Sequence, residues 1–260
     1  MPTVEALAAF LKRFAPVDLA EDWDNVGLLV GDPGRDVARV MTCLTVTPAT
    51  AAEAVEQRAD LIVTHHPMPF HPVRRLTTET TVGRLLLDLI AARIAVYSPH
   101  TALDSAPDGI NQRLAAGLAL RGIWPLVPGD SRTGAGRWGW LSEPVPLEQL
   151  AQRVKRFLGV ERLQIVGDPQ QAVRTVAVAC GAADEFLAAA HAEGCDCLLT
   201  GETRFHTCLE AEALGIGLLL PGHFASERFG VECLADVLAE QFPTLEIWPS
   251  RHERDPLRWA

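Results

Sequence analysis

The chain has 260 residues, a formal net charge of −10 and six cysteines. That length fits one large domain or two modest ones, with enough core to fold without disulfide staples, and the acidic balance without a basic tract excludes nucleic acid as a main partner. No apolar run approaches the ~20 residues needed to cross a bilayer, so the expectation is a cytoplasmic protein with no membrane partner.

The first residues, with Val4, Leu7, Phe10, Leu11 and Phe14 at helical spacing, predict an amphipathic helix and not a signal peptide. Glu21 to Gly31 reads as a tight turn packed by Trp23 and followed by a short strand. Val40 to Val46 is a strand, Thr47-Pro48 a capped helix start, Ala49 to Ala59 the helix, and Leu61 to Val63 a strand buried on both faces, which makes one βαβ unit. That strand stops on His65-His66, followed by Pro67 and Pro69. Neighbouring strand residues point to opposite faces, so the two histidines share a site only if the chain bends there, and the prolines supply the bend. A helix from Val82 to Arg93 leads to the strand Ile94 to Ser98, then Pro99, His100, Thr101 and Asp104, and a helix from Gly109 to Leu118.

From Arg121 to about Gln171 the chain is richer in Pro, Gly and Trp and predicts a smaller α+β segment, with a helix over 146–158 and a strand near 163–166. Gly134 to Gly139 matches GxGxxG, but it follows a Pro/Gly loop and enters a strand, so it is not a dinucleotide fingerprint. From Val173 the first pattern returns. Val40–Thr64 and Val176–Thr200 both run strand, Ala-rich helix, Asp (Asp60, Asp196), apolar strand, Thr, and Val96 to His100 is echoed by Leu219 to His223. An internal duplication accounts for this most simply. Cys43, Cys180 and Cys197 lie in apolar runs and read as small core residues; Cys195-x-Cys197 lacks the second half of a zinc site.

Four strand ends carry polar groups: His65-His66, His100 with Asp104, Glu202 with His206, and His223 with Glu227. In open α/β sheets the ligand crevice lies beyond the carboxyl ends of the strands, where these residues fall. If the turn after Gly222 is helical, His223 and Glu227, four apart, share a face. Imidazoles with carboxylates and no thiolates suit Zn, Fe, Mn or Ni, and two carboxylates could bridge two ions about 3.5–4 Å apart.

The segments Trp23-Asp-Asn-Val-Gly-Leu28, Thr64-His-His-Pro67, His100-Thr-Ala-Leu-Asp104, Asp108-Gly-Ile-Asn111, Gly136-Arg-Trp-Gly139 and Gly222-His-Phe-Ala-Ser-Glu227 resemble, in this order, the YbgI-like dinuclear metal-centre family, often labelled GTP cyclohydrolase I type two. The resemblance covers nearly the whole chain. It implies His65, His66, Asp104, His223 and Glu227 as the ligands of a two-metal site, and a toroidal homohexamer with its sites turned inward. One departure is Thr45, where such proteins often carry Asp.

The expectation is an α/β protein with two related βαβ-containing halves and a smaller inserted α+β segment: residues 1–125 with 220–260 as a metal-site domain, and 126–219 as a second α/β domain. Its expected activity is metal-dependent hydrolysis of a small-molecule substrate with two divalent ions per subunit, with His100 or His206 moving protons. The family label implies GTP as substrate. The competing reading is a non-catalytic metal-binding regulatory or scaffold protein.

Overall fold

The computed structural model describes residues 1–129 and 133–258. In chain order the elements are α1 (Val4–Phe14), β1 (Gly27–Val30), β2 (Arg39–Cys43), α2 (Pro48–Glu56), β3 (Leu61–Thr64), α3 (Thr81–Ala91), β4 (Ala95–Ser98), α4 (His100–Ser105), α5 (Ile110–Gly117), β5 (Arg121–Trp124), β6 (Val127–Pro128), β7 (Gly134–Ala135), β8 (Arg137–Pro146), α6 (Leu147–Leu158), β9 (Gln164–Val166), β10 (Ala172–Ala182), α7 (Leu187–Ala192), β11 (Cys197–Glu202), α8 (Phe205–Leu214), β12 (Gly217–Leu220), α9 (His223–Gln241) and β13 (Glu246–Pro249). They form two units, Met1–Leu103 with Gly230–Ala260, and Asp104–Phe229, so the breaks fall within α4 and α9. The breaks differ from the expected 125/126 and 219/220 for a local reason: β5 pairs with β8, α5 packs on β8 and β10, and β12 pairs with β11.

In the first unit the sheet order is β1-β4-β3-β2-β13, with β13, β2, β3 and β4 parallel and β1 antiparallel at the edge. Thr47 caps α2 in a reciprocal capping box with Thr50 and Pro48 opens the helix, so the predicted βαβ crossover forms from local chemistry. Every residue of β3 and β4 is buried. One sheet face, with Met41, Cys43, Ile62 and Val96, packs on Ala51 and Ala54 of α2, Leu85 and Leu89 of α3, and Trp248. Each fully buried aliphatic side chain of this kind contributes ~1.5–3 kcal/mol.

In the second unit the order is β5-β8-β10-β11-β12-β9, with β10, β11 and β12 parallel. The period of two along β10 and β11 divides its core: Val176, Val178, Cys197 and Leu199 pack with α5 and α6, whereas Ala177 and Leu198 pack with Leu187 of α7 and Ala211 of α8. The duplication read from the sequence recurs in hydrogen bonds. Asp60 Oδ2 accepts from the Ala38 and Arg39 amides at 2.8 and 3.1 Å, and Asp196 Oδ2 accepts from the Arg174 and Thr175 amides at 2.8 Å each. The GxGxxG stretch lies in β7 and β8, not at a helix start. No described helix is long and apolar enough to cross a membrane.

Candidate metal centre

The ladder of the first unit does not stop at Thr64: the His65 amide donates to the Cys43 carbonyl at 3.0 Å and the His66 amide to that of Leu44 at 2.8 Å. Ser98 Oγ donates to the His65 carbonyl at 2.6 Å. The chain then bends, as the prolines predict, and the His65 and His66 rings come to 5.2 Å between centroids instead of projecting to opposite faces. His100 opens α4 directly beyond β4, its ring 5.1 Å from that of His65 and 5.6 Å from that of His66. One ring nitrogen from each of the three lies within 4.8 Å of the others. His65 is buried and His100 nearly so. Three clustered imidazoles form a donor set that fits a borderline divalent metal ion.

Two of these rings are held from behind. Thr45 Oγ1 lies 2.7 Å from His66 Nδ1, and Thr45 is itself fixed because Glu253 accepts the Leu44 and Thr45 amides at 2.8 and 2.7 Å. Behind His100 stands Asp24, whose side chain is fully buried with Oδ1 2.7 Å from His100 Nδ1. Burial pushes the Asp24 carboxyl upward, but hydrogen bonds from His100 and Thr101 outweigh it and hold the group below the usual range. An ionised carboxylate only accepts, so His100 Nδ1 is the donor, and in the neutral ring Nε2 is the nitrogen that carries the lone pair. His100 has a φ of +28°, a strained conformation for a residue with a Cβ, maintained by these contacts.

The second unit carries its own acid and imidazole group. His223 and Glu227 begin α9 and lie on one face, with Nε2 3.0 Å from Glu227 Oε2 and Nδ1 3.0 Å from Glu202 Oε1. The Glu227 hydrogen bond raises the His223 pKa to about 9 against opposing burial, and Glu202 adds to it. A metal ion held by this pair would take the place of that proton. Gly181, at φ +68°, makes room for the carboxylate: a Cβ there would stand 2.3 Å from Glu227 Oε1. Asp104 Oδ1 lies 3.1 Å from Cys180 Sγ, while Asn111 donates to the Asp104 carbonyl and accepts the Cys180 amide at 2.8 Å. Cys180 is therefore more than a core filler, and burial, then Asp104 and Glu227, push its thiol pKa well up. Cys195 and Cys197 are buried, and burial pushes the Cys195 thiol up to about 12.

Of the residues predicted from the sequence, His65, His66 and His100 meet in the first unit. In the second unit His223 and Glu227 pair, with Glu227 against Gly181, next to Cys180 whose Sγ meets Asp104. His206 sits exposed at the start of α8 with its ring against Phe205. Trp23 does not pack its turn as expected: it is 61% exposed, since the turn is held by Asp24 and Asn25 instead. Sequence reading missed Asp24, Glu253 and the service of Thr45. They lie 76, 209 and 21 residues from the groups they hold, too far for any spacing rule. The Gly136-Arg-Trp-Gly139 motif also finds a physical role. Buried Arg137 donates to the carbonyls of Ser105, Ala106, Gly134 and Gly136 and to Gln112, fixing the start of α5 against the β7–β8 turn.

Clustered histidines beyond parallel strand ends, backed by buried carboxylates, define an α/β protein with a site whose side chains could hold a metal ion. Residues 2–256 match the family model Duf34/NIF3 (NGG1p interacting factor 3), and the chain belongs to that family. It is 36% identical over 267 residues to a GTP cyclohydrolase 1 type 2 homolog of Streptomyces coelicolor, covering 98% of this chain and 94% of the relative. It is 34% identical over 227 residues to the homolog of Clostridium acetobutylicum, covering 86% of this chain and 85% of the relative. The solved structure of protein ybgI, of unknown function, superposes with a TM-score of 0.85 at 27% identity, covering 98% of this chain and all of that one.

Proposed function

We propose that the protein is a hydrolase using two divalent ions per subunit, held by His65, His66, Asp104, His223 and Glu227. The observation that supports this reading is that His65 and His66, two of the proposed ligands, bring ring nitrogens within 4.8 Å of each other and of one from His100, which stands beside them as a proton carrier. When bound, such ions supply an acidified water and a polarised electrophile. The chain's own part is orientation and proton movement. Thr45 holds His66, and Asp24 holds His100 with Nε2 free to take or give a proton. His206, exposed on α8, is the second group offered for proton transfer. The relatives' name points to ring-opening hydrolysis of GTP as the first substrate to try.

A toroidal homohexamer belongs to the same proposal, and the exposed Trp124 and Trp140, 53% and 37% accessible, support a self-contact surface on the second unit. Light scattering that finds a monomer at micromolar concentration removes it.

The functional test is elemental analysis of protein purified without added metal, then a screen of GTP, other nucleotides, phosphodiesters and peptides with that metal restored. The proposal expects about two ions per chain and turnover that His65→Ala abolishes. Full metal loading with no turnover of any compound identifies the protein instead as a non-catalytic metal binder.

A further inference from the structure

We propose that Trp23 and Phe70 form a stacking platform that presents a planar heterocyclic ring to the histidine cluster. The inference rests on the hydrolase reading for the statement that the ring belongs to a substrate, and on geometry for the rest. Trp23 is 61% and Phe70 42% exposed, yet both rings touch His100, at 5.9 and 6.0 Å between centroids and 76° between planes in each case. The two rings lie 5.9 Å apart with only 35° between their planes. Two exposed aromatic rings, tilted by 35° from each other, therefore stand against the His100 imidazole.

The surface is also pre-organised. On either side of Trp23 the backbone is pinned: the Glu21 amide donates to Thr101 Oγ1 at 3.0 Å, Asp24 accepts the Thr101 amide at 3.1 Å, and Asn25 Nδ2 donates to the Pro69 carbonyl at 2.8 Å, next to Phe70. A turn that had only to close the chain would leave polar residues in water. Here two large apolar rings are left uncovered on loops tied by hydrogen bonds, beside a polar cluster, and that composition is typical of a small-molecule site.

The relative orientation selects the class of ligand. Binding a quaternary ammonium requires aromatic walls arranged as a box around the cation, and two rings 35° apart form no box. Asp24, the carboxylate in contact with His100, is fully buried and engaged by that ring, while Glu21 and Asp22, which precede Trp23 in the chain, are exposed to water. Two exposed aromatic rings of this kind are suited to the face of a heterocycle such as a nucleobase, which stacks on such side chains irrespective of its hydrogen-bonding edge.

The test is binding to metal-loaded wild type, Trp23→Ala, Phe70→Ala and Trp23→Phe by calorimetry, with guanosine, adenosine and uridine as ring probes, inorganic triphosphate as a ring-free probe and tetramethylammonium as a cationic one. The proposal expects nucleosides to bind wild type, to bind Trp23→Ala and Phe70→Ala about 10- to 100-fold more weakly, and to recover partly in Trp23→Phe, with metal content and triphosphate binding unchanged. Equal nucleoside affinity in wild type and Trp23→Ala, no nucleoside binding at millimolar concentration, or a preference for tetramethylammonium would each overturn it. Nucleoside binding without turnover of any compound defeats the hydrolase reading and leaves the platform standing, whereas turnover with unaltered KM in Trp23→Ala does the reverse.

Discussion

Gly181→Ala separates the role of Glu227 from ordinary backbone strain. The new Cβ would lie 2.3 Å from Glu227 Oε1 and 3.6 Å from His223 Cε1, so the carboxylate must retreat by about 1 Å to reach ordinary contact. Moving Glu227 breaks its hydrogen bond to His223, a charge-assisted contact contributing ~1.5–3 kcal/mol. Gly181 also has a φ of +68°, where a side chain costs ~1–2 kcal/mol. Gly194 isolates that second effect, having φ +67° with nothing within 4 Å of its added Cβ. Gly194→Ala is therefore expected to lose only the backbone increment and to bind metal as wild type does. Gly181→Ala should lose that increment and the hydrogen bond, and its metal affinity should fall about 10- to 100-fold, the usual effect of disturbing a ligand's support. Elemental analysis with chelator competition reads the metal, and urea titration followed by tryptophan fluorescence reads stability. Identical metal affinity in the two variants would refute the assignment of Glu227 as a ligand.

Further outcomes follow from the supporting contacts. Glu253→Ala strands the Leu44 and Thr45 amides, each at ~1–3 kcal/mol, so the urea midpoint reported by buried Trp248 should fall; a shift within error means water replaces the carboxylate. Glu53 accepts from Trp248, Ser250, Arg251 and His252, and although burial opposes ionisation these bonds hold its pKa below the ordinary value. Its stabilisation is thus complete above the unfolded-state pKa of ~4.3 and is lost as pH falls through the lower folded value. Wild type should exceed Glu53→Gln by a constant margin from neutrality to about pH 5 and lose that margin below, and urea midpoints that diverge on acidification would contradict this. His206→Ala should retain its metals while losing ~10²–10⁴-fold in any hydrolysis; loss of metal would make His206 a ligand.

The sequence by itself determined the elements and the repeat. Continuous apolar runs such as Leu61 to Val63 had to be strands buried on both faces, Thr47-Pro48 had to open a helix, and the matched Asp60 and Asp196 marked two copies of one βαβ unit. The histidines were legible as well, because strand ends and prolines are local signals, and the bend at Pro67 put His65 beside His66 as the pattern required. Tertiary structure alone decided what stands behind those histidines. Asp24 reaches His100, Glu253 reaches the amide of Thr45, and Asn111 holds both Asp104 and Cys180 because sheet pairing and loop closure bring remote segments together. Exposure was equally hidden. An aromatic in a turn reads as packing until the structure shows polar side chains bearing the turn and Trp23 facing water. Hydrogen-bond partners and accessibility are properties of how the chain folds back on itself, and no periodicity along it encodes them.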